Sequence, residues 1–442
     1  MQKIILSISS LFLLLGFNSC KTNLETRDVT AGQANFTRYV AIGNSLTSGF
    51  ADGALYREGQ ENSFTNMLAK QFQLAGGGAF KIPYMNEGGG NDLSGNPRRV
   101  LGYVIPCGST TPSLTPVWDP AGATPLNNVA AMGPYNMVGV PGARAIDVNS
   151  GVYSSSFGNA FLTRFCLNPG VSSMTSEALR INPTFFTLWL GSNDVLLYAL
   201  GGAVEGVGPF APALSDTSAV RVSLEKVVDT LTKHGAKGAI ANVPDMTSIP
   251  YFTTIPWNSV VLTASEAAQL NAIYAPLGIT WQAGANGFMI ADTTAPASMR
   301  HATAEDLILL TTPSDSIRCG KWGVDPTKPL QDQYVLDKAE IELIQWHTNS
   351  YNQSIANLAA SYHLAHVDMN RFLKSFKSGI VYNGIALNAN YVSGGAFSLD
   401  GVHPNPRGYA LIANEFIRTI NNYFGSTLPE LDVTQYKGIV FP

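Results

Sequence analysis

Five short apolar runs, spread along most of the chain, constrain the fold more than any other feature. They are "YVAIG" (39–43), "YNMVGV" (135–140), "TFFTLWLG" (184–191), "GAIANV" (238–243) and "LAHVDM" (364–369). None alternates cleanly between apolar and polar residues, as a strand with one wet face would. Continuous apolar runs of this length fit central strands of a parallel sheet, buried on both faces. Parallel strands need long crossovers, and helical patterns stand where the crossovers are required. From Asp216 the run "DTSAVRVSLEKVVDTLTKHG" opens on a capping carboxylate and stops at Gly235, a residue suited to the left-handed backbone that ends helices. Residues 335–362 carry a second long helical pattern. Tyr409, Ile412, Ala413, Phe416, Ile417 and Ile420 share one face of a third. Strand and helix in alternation predict an α/β fold around one parallel sheet.

The runs are unevenly spaced. Long intervals follow the first and the fourth, rich in Gly, Pro, Thr and Ser ("NEGGGNDLSGNP", "TTAPAS"). They read as insertions, at about 76–134 and 255–333, within one domain over 36–427 that is followed by a tail, 428–442. A chain that is 45% hydrophobic and 13% charged, with 42 Gly and 25 Pro, suits a large core with turn-rich loops. Net charge is −4 with no Lys/Arg run, so a nucleic-acid partner has no electrostatic support.

The N-terminus carries a different signal. Lys3 precedes an apolar stretch, Ile4 to Phe17, that is too short to span a bilayer and reads as an export signal over 1–20. Ser19 before Cys20 resembles the lipobox of bacterial lipoproteins. That resemblance implies lipid attachment at Cys20, a polar tether over 21–35, and anchoring to a membrane, with Lys21 pointing by analogy to the outer one. The competing reading is an ordinary cleavable signal. Cys107, Cys166 and Cys319 then remain, which allows one disulfide and one leftover thiol, or none paired.

In an open parallel sheet, ligands bind beyond the carboxyl ends of the strands, so the residues just past each run are the informative ones. After the first stand Gly43, Asn44, Ser45 and Leu46; after the second, Pro141 and Gly142; after the third, Gly191, Ser192, Asn193 and Asp194. Just ahead of the last helix comes "DGVHPN", with Asp400 and His403. Taken singly, Ser45 is a cap, Gly142 a turn, and Asn193 another cap. Together they supply what acyl transfer requires. A serine hydroxyl needs a neutral imidazole as base, and the imidazole needs an acceptor on its other nitrogen. The tetrahedral intermediate needs donors aimed at its oxygen, here the N–H groups of Ser45 and Gly142 and the Asn193 amide.

These pieces, in this order, resemble the SGNH (GDSL-like) hydrolase family, whose name lists Ser, Gly, Asn and His from separate sequence blocks. The matching residues are Ser45, Gly142, Asn193 and the pair Asp400 and His403, over about residues 37–425. The resemblance implies a flavodoxin-like three-layer sandwich with a central parallel sheet. It also implies hydrolysis of carboxylic esters through an acyl-enzyme on Ser45, with no metal or other cofactor. A lipase-like acylhydrolase is the expected activity, with a glycan O-acetylesterase as the alternative on the same site. An acyltransferase would use the same serine with an alcohol in place of water. The alternative of another class is a surface binding lipoprotein that keeps the fold without turnover. One position departs from the pattern: Asn44 stands where the family has Asp, and it can still accept hydrogen bonds that brace the turn.

Other candidates are weaker. Asn91 in "GGGND" offers a second Gly-x-Asn-like block, but it precedes Gly142 and no clear strand leads into it. Arg144 reads as a salt-bridge partner, Asp368 as a turn acceptor, and the pair His363 and His366 as packing rather than a metal site. Oligomeric state is left open.

Overall fold

The computed structural model of the chain describes residues 28–206 and 213–442. The expected export signal and Cys20 lie outside the described residues. Five parallel strands form the central sheet: β1 (Tyr39–Gly43), β2 (Met137–Gly139), β3 (Phe185–Trp189), β4 (Lys237–Ala241) and β5 (Ala365–Val367). Their order across the sheet is β5-β4-β3-β1-β2, with every pair parallel. This is the flavodoxin-like arrangement, with β1 and β3 buried along their whole length.

Helices cover both faces. Helix α2 (Phe64–Leu74) and the last helix, α6 (Pro406–Phe424), pack together through Phe64 and Phe416, whose rings stack at 5.0 Å. Trp189 of β3 meets both rings edge-on. Helix α4 (Thr217–Lys233) and helix α5 (Lys338–Ser361) pair with each other, and α5 also packs on β4. Both of these helices begin at a side-chain cap. The Asp216 side chain accepts from the N–H groups of Ser218 and Ala219 at 3.0 Å, and Asp337 and Glu340 form a reciprocal capping box. No helix among the described residues is long and apolar enough to cross a membrane.

The interval 76–134 is mostly loop, built around a hairpin of Arg99–Val104 and Ser113–Trp118. The interval 255–333 contributes most of a second, smaller hydrophobic cluster that includes Tyr274, Trp281, Phe288, Met289 and Leu330. A disulfide, Cys107–Cys319, ties the two intervals together, with Cα atoms 6.2 Å apart, and Cys166 is a buried free thiol. Residues 28–35, in the stretch expected to be a tether, are packed: Thr30 N–H donates to Thr427 Oγ1 at 2.9 Å and Gln33 N–H to Phe424 O at 2.8 Å. The C-terminal stretch is held as well, with Leu428, Leu431 and Val433 buried in the main core.

Candidate active site

β1 ends at Gly43, a position where nothing larger fits. A Cβ there would lie 2.0 Å from Thr47 Oγ1 and 2.7 Å from Trp189 O. The chain turns at once into a one-turn helix, α1 (Ser45–Ser48), whose N-cap is Asn44; the Asn44 Oδ1 accepts from Leu46 N–H at 3.1 Å. That contact needs an acceptor and no charge, so Asn44 braces the turn as an aspartate would. In the sheet register Gly43 lies opposite both Gly139 and Trp189. The residues just past β1, β2 and β3 therefore emerge along one edge.

There the predicted residues meet. Ser45 Oγ lies 2.8 Å from His403 Nε2, and His403 Nδ1 lies 2.8 Å from Asp400 Oδ2. In this arrangement a neutral imidazole carries its proton on Nδ1 and presents a lone pair at Nε2 to the serine hydroxyl. His403 is fixed by the start of α6, where Asn405 caps the helix by accepting from Gly408 N–H at 3.0 Å. Its ring packs on Phe50, with centroids 4.8 Å apart. Asp400 is largely but not wholly enclosed and also accepts from Gly53 N–H, Ser398 Oγ–H, Val402 N–H and His403 N–H at 2.8–3.0 Å. Burial would raise this carboxyl, but the facing His403 and the backbone donors outweigh it and hold it at about 2. Asp400 is thus an anion at any working pH.

The donors expected for an oxyanion are beside Ser45. Gly142 has φ of +81°, a left-handed conformation that glycine adopts without strain. Neither its N–H nor that of Ser45 donates to an acceptor among the described residues. Asn193 opens helix α3 (Asn193–Leu200), and its Nδ2 donates to Ala143 O at 2.9 Å. That bond fixes the amide plane and leaves the second hydrogen on the same nitrogen for a ligand.

The next residue, Asp194, was not foreseen as part of the site. Its Oδ2 accepts from Ala145 N–H at 2.7 Å, so Asn193 and Asp194 together hold the 142–145 loop. Burial pushes Asp194 up to about 6, against the lowering effect of the Ala145 N–H. A carboxyl raised in the fold favours the folded state below its ordinary value, near 3.8, and this contribution is lost as pH rises through about 6. Asp194→Asn is therefore expected to match the wild type in thermal stability near pH 4 and to exceed it above pH 6, by about 2–3 kcal/mol. Melting curves across this range check it; equal pH dependence in the two proteins would contradict it.

The other sequence candidates stay outside the constellation. Arg144 forms a two-bond ion pair with Asp147 at 3.0 and 3.1 Å. Asn91 pairs with the Leu55 backbone and donates to Thr124 O. His366 sits in the edge strand β5, and Asp368 caps the helix after it. Missed by sequence reasoning were Asp52, whose N–H donates to Ser398 Oγ and whose carboxylate accepts from Leu399 N–H, and Ser398 itself. Only the adjacency of Ser398 to Asp400 could have suggested either.

Ser45, Gly142, Asn193 and His403 face a cavity of about 670 Å³. One side is apolar, formed by Leu196, Leu197 and Leu200 of α3 with Phe161 and Leu310; another comes from the hairpin, with Arg99, Thr115 and Trp118. A hydroxyl, an imidazole and a carboxylate in series, beside three donor-bearing residues that line the same cavity, define a site fitted to acyl transfer by a serine hydrolase. A model of the family described as GDSL-like lipase/acylhydrolase matches residues 39–416, and the chain belongs to that family. It is a serine hydrolase of carboxylic esters.

No curated protein matches the chain. Solved structures with some likeness include an alpha/beta hydrolase from the metagenome of Lake Arreo, Spain, at 10% identity, covering 88% of this chain and 96% of that one, with a TM-score of 0.36. An acetylxylan esterase variant from Geobacillus stearothermophilus aligns at 10% identity over 89% and 96%, TM-score 0.36. An extracellular lipase from Streptomyces rimosus aligns at 12% identity over 87% and 98%, TM-score 0.33. Scores this low carry no weight for fold or substrate.

Proposed function

We propose that this chain is a lipase-like acylhydrolase working through an acyl-enzyme on Ser45. The observation that carries the reading is the unbroken series Asp400–His403–Ser45, with 2.8 Å at each step. His403 takes the Ser45 proton as Oγ attacks the acyl carbon, and Asp400 steadies the imidazolium that forms. The oxyanion develops against Ser45 N–H, Gly142 N–H and the free hydrogen of Asn193 Nδ2. His403 then hands its proton to the departing alcohol. In the second half it draws a proton from water, whose oxygen attacks the acyl-enzyme and releases the acid. The leucine wall of α3 supports an acyl chain longer than acetyl, since an acetyl group would leave most of that apolar surface wet. The glycan O-acetylesterase alternative draws support from Trp118, an exposed indole of the kind that can lie against a sugar ring.

Export belongs to the same proposal. Residues 1–20 read as a signal ending at a lipidated Cys20, and the disulfide between Cys107 and Cys319 supports folding in an oxidising compartment. Anchoring to the outer membrane rests on the lipobox resemblance and Lys21.

One experiment tests both catalysis and acyl length. Residues 21–442 and their Ser45→Ala variant are treated with fluorophosphonates bearing a short or a long alkyl chain, and intact mass is followed in time. A single adduct on the wild type and none on the variant is expected, with faster labelling by the long-chain probe. Faster labelling by the short probe would favour the acetylesterase. If neither probe labels the folded wild type, the non-catalytic binding protein takes the lead.

A further inference from the structure

We infer that the cavity selects esters whose alcohol portion carries an anionic group, a carboxylate or a phosphate, and that Arg99 holds that group. The inference rests on the proposed serine chemistry for its orientation. Arg99 opens the hairpin and pairs in register with Trp118, and its guanidinium carbon lies 4.5 Å from the centre of the Trp118 ring. Its backbone N–H is fixed on Asp52 O at 2.7 Å. Yet among the described residues its side chain has no carboxylate within ion-pair distance and no hydrogen-bond acceptor. The adjacent Arg98 shows the contrast: it pairs with Asp119 at 3.0 Å and Glu58 at 3.4 Å. A guanidinium keeps its charge at every working pH and carries five donors, so a half-buried one without an acceptor awaits a ligand.

The neighbouring carboxylates are already committed. Asp400 accepts from five donors, and Asp52 accepts from Leu399 N–H and Tyr56 O–H. Asp92 is closed on the N–H groups of Ser94 and Asn96. Position decides which part of a substrate Arg99 can reach. A Cβ built on Gly53 would lie 3.7 Å from Arg99 Nε and 3.9 Å from Asp400 Cβ, so Arg99 lies on the Asp400–His403 side of Ser45. The departing alcohol takes its proton from His403 and leaves on that side, while the acyl chain runs along the leucines beyond Asn193. Lying over the indole, with no acceptor among the described residues, the guanidinium has donors free for the paired oxygens of a carboxylate or phosphate.

The test compares matched substrates. One pair is 4-acyloxybenzoate and its methyl ester; the other is a monoacylglycerol phosphate and the monoacylglycerol, so the two arms separate carboxylate from phosphate. Wild type is expected to prefer the anionic member of at least one pair by about tenfold or more in kcat/KM, as a charge-assisted fork contact would give. Arg99→Met should bring that ratio near one, and Arg99→Lys should keep only part of it, because the charge remains and the fork is lost. A wild-type ratio near one in both pairs, or a ratio unchanged in a folded Arg99→Met or Arg99→Lys protein, overturns the inference. Hydrolysis of the neutral esters reports separately on Ser45. If wild type cleaves no ester, the serine reading fails, and calorimetric binding of the anionic esters to Ser45→Ala and to Ser45→Ala with Arg99→Met decides about Arg99 alone. Tighter binding that requires Arg99 upholds it, and equal affinity removes it.

Discussion

Replacing His403 by alanine is expected to lower kcat on a simple ester by about 10⁵- to 10⁶-fold, because nucleophile and base act as one unit. Its Nε2 is the ring nitrogen at 2.8 Å from Ser45 Oγ, and without it the hydroxyl must attack as a poor, protonated nucleophile. The fold should tolerate the change. Asp400 would keep Gly53 N–H, Ser398 O–H, Val402 N–H and the backbone N–H of residue 403, so its charge would remain solvated by the protein. Adding Ser45→Ala to His403→Ala should then cost almost nothing more in rate. Single-turnover kinetics on Ser45→Ala, His403→Ala and the double variant measure this; a His403→Ala protein retaining more than about 1% of activity would remove His403 from the role of base.

The second large effect is expected at Asp400→Asn, with kcat falling by about 10⁴-fold while the nucleophile and base remain in place. A carboxylate accepts on both oxygens, and Asp400 uses them for five donors. An asparagine must turn an NH₂ toward some of those donors. If the NH₂ faces His403 Nδ1, the imidazole proton moves to Nε2 and points at Ser45 Oγ, the wrong tautomer for a base. If the oxygen faces Nδ1, the NH₂ meets the N–H groups of Val402 and His403 and the loop is pushed apart. Stability carries a second signature. Asp400 is held at about 2 in the fold, so its contribution, about 2 kcal/mol, is present above its ordinary value near 3.8 and lost as pH falls toward 2. The melting-temperature gap between wild type and Asp400→Asn should therefore narrow below pH 4. An Asn variant with near-native kcat would show that Asp400 only braces the loop.

Both predictions concern residues that the sequence alone singles out, and the reason is local. Ser45, Gly142 and Asn193 each come just after a strand that its own apolar run declares, and Asp400 and His403 stand three apart before a helix that its own face declares. Burial on both sides of β1 and β3 requires continuous apolar sequence, and an open parallel sheet brings the loops at its strands' carboxyl ends to one edge. So the five strands, the three long helices and the residues that meet at Ser45 are legible in the chain. The start after Asp216 is also legible, because that carboxylate caps through contacts only two and three residues long, whereas the second pattern, read from 335, becomes helix only at Lys338, since Val335 and Leu336 pair as a short strand.

The surroundings of those groups were decided by tertiary structure. Cys107 and Cys319 are separated by 212 positions, and no local rule selects that pair over the others. Asp52 and Ser398 are 346 positions apart and meet only in the assembled fold. Arg99 and Trp118 look like ordinary hairpin residues until the hairpin is laid over the cavity beside Asp400. Even the packing of residues 28–35 depends on Phe424 and Thr427, near the other end of the chain. Periodicity and capping act over a few residues and are written in sequence. The walls of the cavity come from long insertions whose apolar contacts are non-directional, so only the assembled fold says where they close.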